Sequence, residues 1–183
     1  LQSIGSIESE LESHQINFLH KIAESWLFTF NGQTGFNASR SENFANRNYK
    51  IDENLLKPQI SYLFGESNRV DVFYEYQKKD NQINDVATLA QQNLGLGWSF
   101  NDGQKYAVNG ELRYVKNDFT GQAFSPVGFQ MLEGLQPGKN LTWNLLLQKK
   151  VTNFIDLNLS YSGRNSETAS TVHTGSVQLK AYF

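Results

Sequence analysis

The chain has 183 residues, with 16 basic and 18 acidic side chains and a formal net charge of −2. A near-neutral balance gives no electrostatic reason to expect nucleic-acid binding, which generally requires a basic surface. Cysteine is absent, so disulfides, zinc–thiolate sites and thiol catalysis are excluded. Aromatic residues make up 13% of the chain, a high share for a sequence without a long apolar run.

From the first segment onward, apolar and polar residues alternate with the period of two that is typical of β-strands with two different faces. The first segment, around residues 12–22, is the weakest. The acidic stretch before it, with Glu8, Glu10 and Glu12, also fits the start of an amphipathic helix, but we favour a strand that enters from an acidic loop. The clearer segments that follow are residues 26–36, 56–64, 70–76, 94–100, 106–114, 141–147, 155–163 and 172–183. The pattern therefore predicts about nine strands, each of roughly ten or more residues.

The predicted connections alternate in length along the chain. Short turns are expected near residues 23–25, 65–68, 101–104 and 151–153, and long loops near residues 40–50, 79–87, 119–139 and 165–170. Aromatic residues such as Trp26, Phe64 and Trp98 cluster near the short turns. Short periplasmic turns, long external loops and aromatic girdles are typical of outer-membrane barrels. We predict an all-β fold, a segment of a transmembrane antiparallel up-and-down β-barrel; the alternative is a soluble β-sandwich with shorter strands.

A bilayer offers no hydrogen-bond partners to the backbone, so strands cross it only in a closed ladder, with the polar residues facing the lumen. The charged residues predicted to face this lumen are Asp71, Glu75, Lys79, Glu111, Arg113, Asp156, Arg164 and Lys180. This set could line a permeation path, hold a plug domain or form cross-strand ion pairs, of which ion pairing is the most common outcome.

The end of the chain alternates Val177, Leu179 and Ala181 before a final Phe183. This arrangement resembles the closing-strand signature of bacterial outer-membrane proteins, although Ala181 stands where the signature favours an aromatic residue. The resemblance implies recognition by the barrel-assembly machinery, a periplasmic C-terminus, and a location in the cell outer membrane in contact with lipid and lipopolysaccharide. Residues 132–144, 161–166 and 172–175 also resemble the ends of large outer-membrane barrels of the Bacteroidota.

Counting strands backwards from a periplasmic Phe183 places Leu1 outside the cell. Because single-chain bacterial barrels usually have an even number of strands, we expect an odd number of further strands upstream or on another chain. The sequence opens without a signal peptide, which fits a mature, truncated or partial chain.

The connection at residues 119–139 is unusually apolar, with Phe124, Phe129, Met131 and Leu132 as candidates for contact with a partner. Such a loop is expected to fold into the lumen, pack on a partner protein or contact lipopolysaccharide. His14, His20 and His173 form no metal-binding motif, and no G-x-S-x-G sequence occurs. We therefore predict no catalytic residue, no metal site and no cofactor.

Three functional classes are compatible with these observations. The favoured one is a transport or secretion pore or carrier, with or without a plug, because large barrels with polar lumens usually conduct or carry a solute. The alternative is a structural or assembly subunit that anchors partner proteins. A barrel hydrolase is the least favoured, because a fold alone does not assign chemistry.

Overall fold

The computed structural model describes residues 6–103 and 105–182. They form nine β-strands, one short α-helix and a single 3-10 turn at Ala45–Arg47. The strands are β1 (Ile7–Ala23), β2 (Trp26–Ser41), β3 (Tyr49–Phe64), β4 (Asn68–Asn81), β5 (Ala87–Asp102), β6 (Tyr106–Thr120), β7 (Gly138–Thr152), β8 (Ile155–Ser166) and β9 (Val172–Ala181), and the helix is α1 (Pro126–Leu132).

Every strand pairs antiparallel with its neighbour in sequence, so that one sheet runs from β1 to β9 without a crossover. Within the described residues, β1 and β9 are not paired with each other, and the sheet is open. The predicted all-β, up-and-down architecture of about nine strands is confirmed. The first strand begins at Ile7, earlier than expected, because the acidic stretch continues the strand instead of starting a helix.

The connections between the strands alternate in length along the chain. The short ones are residues 24–25, 65–67, 103–105 and 153–154, and the long ones are residues 42–48, 82–86, 121–137 and 167–171. Gly65 and Gly103 have φ values of 61° and 54°, a conformation that glycine adopts without steric cost. Gln104, part of one predicted turn, lies outside the described residues. All short turns thus lie at one end of the sheet and all long connections at the other.

The two sides of the sheet differ sharply in composition. The side that we call the polar face carries, among others, Asp71, Gln77 and Asn93, all of them buried. The opposite side, the apolar face, presents residues such as Leu56 and Val72 to the surroundings. Since side chains alternate between the two sides of a strand, the period-two pattern of the sequence produces this separation directly.

Near the short turns the apolar face carries a chain of aromatic rings. The ring centroids of Trp26 and Tyr62 are 4.9 Å apart, those of Tyr62 and Phe64 5.7 Å, and those of Phe64 and Phe100 5.9 Å. In β3 the apolar stretch from Leu56 to Phe64 is about 26 Å long at ~3.3 Å per residue. A strand tilt of about 40° reduces its height to about 20 Å, close to the ~25 Å apolar band of membrane barrels.

Helix α1 interrupts the longest connection, where the sequence had indicated only a loop. It begins after Ser125, whose hydroxyl accepts a hydrogen bond of 3.0 Å from the Gly128 amide, and Pro126 occupies the first helical position. Glu133, in the left-handed region at φ 53°, ends it. In the described part of the chain, no helix is long and apolar enough to cross a membrane.

The main hydrophobic core of the sheet lies between α1 and the polar face. It contains Ile51, Ala87, Leu89, Val127, Met131 and Leu132. Apolar residues therefore occupy the polar face where the helix covers it, at the end of the long connections.

Candidate functional site

A buried lysine holds α1 on the polar face. The Lys79 ammonium donates a hydrogen bond of 3.3 Å to the carbonyl oxygen of Met131 and forms an ion pair with the Glu133 carboxylate. The Lys79 side chain is buried, whereas that of Glu133 is largely exposed. A buried cation requires such partners, because removing one of them leaves an uncompensated charge. The contact between β4 and the end of α1 is therefore polar and specific, and it adds to the apolar packing of α1 on β3 and β5.

Amide side chains attach the segment that follows α1 to the same face. Asn117 and Asn140 both donate to the carbonyl oxygen of Gln136, at 3.0 Å and 2.8 Å. Asn117 also accepts a hydrogen bond of 2.9 Å from Gln91, and Arg164 donates one of 2.9 Å to the Gly134 carbonyl oxygen. Strands β5, β6, β7 and β8 thus all contribute to keeping the 121–137 connection folded inward.

The four residues predicted to contact a partner are divided by this arrangement. Met131 is 0% exposed and Leu132 is buried beside it, packed between α1 and the sheet. Phe124 and Phe129, by contrast, are 91% and 66% exposed. The buried pair is not available to a partner, which corrects the expectation for Met131 and Leu132 and leaves Phe124 and Phe129 as candidates. Within α1, one side of the helix, with Val127, Met131 and Leu132, packs on the sheet, whereas Phe129 lies on the other side and Phe124 precedes the helix.

Closer to the middle of the polar face, a buried ring joins two ion pairs. The ring centroid of Phe73 lies 4.3 Å from the Lys57 ammonium and 5.3 Å from the Arg113 guanidinium carbon. Lys57 pairs with Glu75 at 3.1 Å, and Arg113 pairs with Glu111. Cation–π contacts of this kind add to ion pairing where the groups are partly desolvated. The cluster connects β3 and β4 to β6 across the intervening strand β5.

The residues predicted to face the lumen all lie on the polar face; they are Asp71, Glu75, Lys79, Glu111, Arg113, Asp156, Arg164 and Lys180. The structure does not bring them into one site. Asp71 pairs with Arg69 at 2.9 Å, and Asp156 accepts a hydrogen bond of 3.0 Å from the Tyr182 hydroxyl near the short turns. The face therefore carries several separate charge groups of mixed sign.

Phe73 and Leu89 were missed by the sequence reasoning. The signal for them was an exception to the alternation, since Phe73 and Leu89 are apolar residues at polar-face positions. Gly95 lies directly opposite Phe73, and a Cβ atom at Gly95 would overlap the Phe73 ring.

The three histidines lie on the apolar face. His14 contacts the Glu12 carboxylate at 2.9 Å, His20 stacks on Phe18, and the His173 ring nitrogen is 2.8 Å from the Tyr161 hydroxyl. Within residues 6–103 and 105–182, no group of three potential ligands is arranged to hold a metal ion.

The last strand places the predicted assembly signal on the apolar face. Val177 and Leu179 are exposed there, and Ala181 ends β9 opposite Ile155. Phe183 lies outside the described residues.

An open, up-and-down antiparallel sheet with long strands, an exposed apolar face and a polar face of mixed charge defines a class of protein. The chain is a segment of an outer-membrane-type transmembrane β-barrel, incomplete in its closure. No family model and no curated protein matches the sequence.

Solved structures agree with this class. Outer-membrane expressed OmpT of Vibrio cholerae is similar at a TM-score of 0.60 and 9% identity, over 96% of this chain and 57% of that one. The loop L8 deletion mutant of OmpT matches at a TM-score of 0.52 and 10% identity, over 92% of this chain and 62% of that one. The translocator domain of autotransporter NalP from Neisseria meningitidis matches at a TM-score of 0.50 and 17% identity, over 98% of this chain and 68% of that one. At these identities the likeness concerns the fold, and the chain spans less than two thirds of either OmpT chain.

Proposed function

We propose that this chain forms part of the wall of an outer-membrane barrel that serves as a transport or secretion pore or carrier. The observation that carries the proposal is the inward-folded connection. Helix α1 is fastened to the polar face by Lys79 and by the amides around Gln136, where it would narrow a lumen. A barrel with only an anchoring role has no evident need for a connection held across its polar face.

The proposal includes an orientation in the membrane. The short turns and the C-terminus face the periplasm and the long connections face outward, as the resemblance of the terminal strand to the closing-strand signature suggests. Lipid and lipopolysaccharide surround the apolar face, the barrel-assembly machinery recognises the terminal strand, and further strands or another chain complete the barrel. The charged residues Asp71, Glu75, Glu111, Arg113, Asp156, Arg164 and Lys180 then line the lumen.

Charge reversal at the helix contact tests this role. Lys79→Glu places two carboxylates against each other, because Glu133 is the partner of Lys79, and like charges at such a contact repel. Helix α1 should leave the polar face, and the full-length protein in planar bilayers should show a larger single-channel conductance than the wild type.

Two further variants make the result specific. The double swap Lys79→Glu/Glu133→Lys should return the conductance toward the wild-type value by restoring the ion pair with reversed polarity. Lys149→Met, at the short-turn end of the apolar face, serves as the control and should leave it unchanged. If the wild-type protein inserts but shows neither conductance nor solute uptake, the pore or carrier role is wrong.

The second candidate is a structural or assembly barrel that anchors partner proteins. The exposure of Phe124 and Phe129 on the outward side of the α1 connection favours it, because large exposed apolar side chains often mark interaction surfaces. Phe124→Ser/Phe129→Ser should then release a partner that co-purifies with the wild type. Phe44→Ser, an exposed phenylalanine in another long connection, is the matched control. Unchanged co-purification would contradict the anchor.

A non-enzymatic barrel also fits the histidines better than a hydrolase does. His14, His20 and His173 contact a carboxylate, an aromatic ring and a phenol on the apolar face. None of these contacts is to a serine hydroxyl that a histidine base could activate.

A further inference from the structure

The apolar face ends in a row of lysines on the side of the long connections. Lys78 in β4 and Lys116 in β6 are the first charged residues of this face beyond Tyr76 and Tyr114. Lys139 in β7 follows Leu141 in the same way, because β7 runs in the opposite direction. The three lysines therefore lie at the height where an apolar belt gives way to the surrounding water.

The same order of residues occurs in two strands. Along β4 the apolar face presents Tyr76, Lys78 and Asp80, and along β6 it presents Tyr114, Lys116 and Asp118. In both strands the aromatic ring comes first, the cation next and the carboxylate farthest from the belt. In a bilayer this order corresponds to the interface, the phosphate layer and the water outside.

Two of the lysines are directly opposed. Lys116 pairs in register with Lys139 across β6 and β7, an arrangement of like charges that is destabilising by itself. Lys116 contacts Asp118 at 3.2 Å and Lys139 contacts Glu167 at 3.0 Å, which offsets part of the repulsion. Both lysine side chains are about half exposed. Ion pairs exposed to this degree contribute little stability, so the ammonium groups can reorient toward another anion.

We propose that Lys78, Lys116 and Lys139 form a binding rim for phosphorylated headgroups that carry a net negative charge, on membrane lipids of the leaflet on the side of the long connections. The proposal rests on the membrane insertion proposed above. A lipid is favoured over free phosphate because the lysines adjoin an apolar belt, where acyl chains pack and hold the headgroup at the height of the ammonium groups. An anion between Lys116 and Lys139 also relieves their mutual repulsion.

The rim is tested by lipid binding to the full-length protein in detergent. Native mass spectrometry gives the affinities for phosphatidylglycerol and for phosphatidylcholine, whose headgroup carries no net charge. The variant Lys78→Gln/Lys116→Gln/Lys139→Gln should bind phosphatidylglycerol roughly a hundredfold more weakly at low salt, at about fivefold for each lysine lost. Its affinity for phosphatidylcholine should not change. Lys105→Gln/Lys149→Gln, at the short-turn end, is the control and should retain the wild-type preference.

If the triple variant keeps the preference for phosphatidylglycerol, the proposed lipid-binding role of the rim is wrong. An equal loss in the control variant would also overturn it, because net charge alone would then explain the binding. Conductance measured on the same preparations separates this proposal from the previous one. A triple variant that loses the lipid preference and still conducts supports the rim, whereas a wild type that binds the lipid without conducting contradicts only the pore.

Discussion

Glu167 is the residue that joins the last long connection to β7. Its carboxylate accepts hydrogen bonds from the side chain and from the backbone amide of Lys139, and its own amide donates to the Lys139 carbonyl oxygen at 3.2 Å. The hydrogen bond from the Lys139 side chain is the main cause that holds the pKa of Glu167 below its ordinary value of 4.5. The charged carboxylate is therefore the form that the folded connection favours.

The sign of the resulting pH dependence follows from this lowered pKa. A carboxyl group with a lowered folded-state pKa contributes stability that is present above the unfolded pKa and is lost as the pH falls through the folded pKa. The advantage of the wild type in Tm over Glu167→Gln should therefore shrink progressively as the pH falls below about 4.5, the ordinary pKa of the group. Thermal denaturation of both proteins across this range checks the prediction. A Tm difference that is independent of pH would contradict it, and Glu24→Gln, in a short turn, provides the baseline.

At the scale of the strands, glycines opposite large rings recur on both faces. Gly95 faces Phe73, Gly110 faces Trp98, and Gly163 faces Trp143 in register. In each pair an added Cβ atom would overlap the ring, so the ring lies flat across the glycine backbone. Such aromatic and glycine pairs restore packing where a glycine weakens a strand, and they fix the register between neighbours.

The pair on the polar face, Phe73 and Gly95, can be tested by substitution of the glycine. Gly95→Ala should displace the Phe73 ring and with it the contacts to Lys57 and Arg113, and should destabilise the protein by about 1–3 kcal/mol. Gly97→Ala, on the same strand and the same face, meets Asp71 only at 3.7 Å and should cost less than about 1 kcal/mol. Urea or guanidinium unfolding in detergent measures both values. Equal effects at the two positions would mean that the ring contact is not the cause.

For the whole molecule, the decisive feature is the pair of open sheet edges. Within the described residues, β1 and β9 each pair with a strand on one side only. Unpaired backbone groups at an edge promote pairing with other chains, and they are especially costly in a bilayer. A barrel removes this cost by closing the ladder, and we expect strands beyond these nine to complete it.

The 183-residue chain expressed alone and folded in detergent should therefore form mixed oligomers. The full-length protein, or the chain together with the partner that closes the barrel, should migrate as a compact species whose electrophoretic mobility changes on heating. Size-exclusion chromatography and unheated gel electrophoresis distinguish the two outcomes. A monodisperse, heat-modifiable monomer of the 183 residues would show that β1 and β9 pair with each other, contrary to the open sheet.

The strands, their faces and the alternation of short and long connections followed from local patterns. A strand with one side in lipid and the other in contact with water must alternate apolar and polar residues with a period of two. The neighbours Val72 and Asp71 can therefore be assigned to opposite sides from the sequence pattern alone. The eight charged residues predicted to face a lumen lie on the polar face for the same reason, and their place in a lumen stays a prediction.

Contacts between distant segments were decided only by the tertiary structure. Helix α1 depends on Met131 and Leu132 meeting Leu89, and on Lys79 reaching Glu133 across more than fifty positions of sequence. Likewise, Phe73 breaks the alternation of the sequence, and only its pairing with Gly95 in the sheet explains how the ring is accommodated. The sequence by itself thus determined which residues of each strand lie on the polar face, because the pattern repeats every two residues. Which segments cover the polar face was decided only by the tertiary structure, because packing depends on contacts between segments that are distant in the sequence.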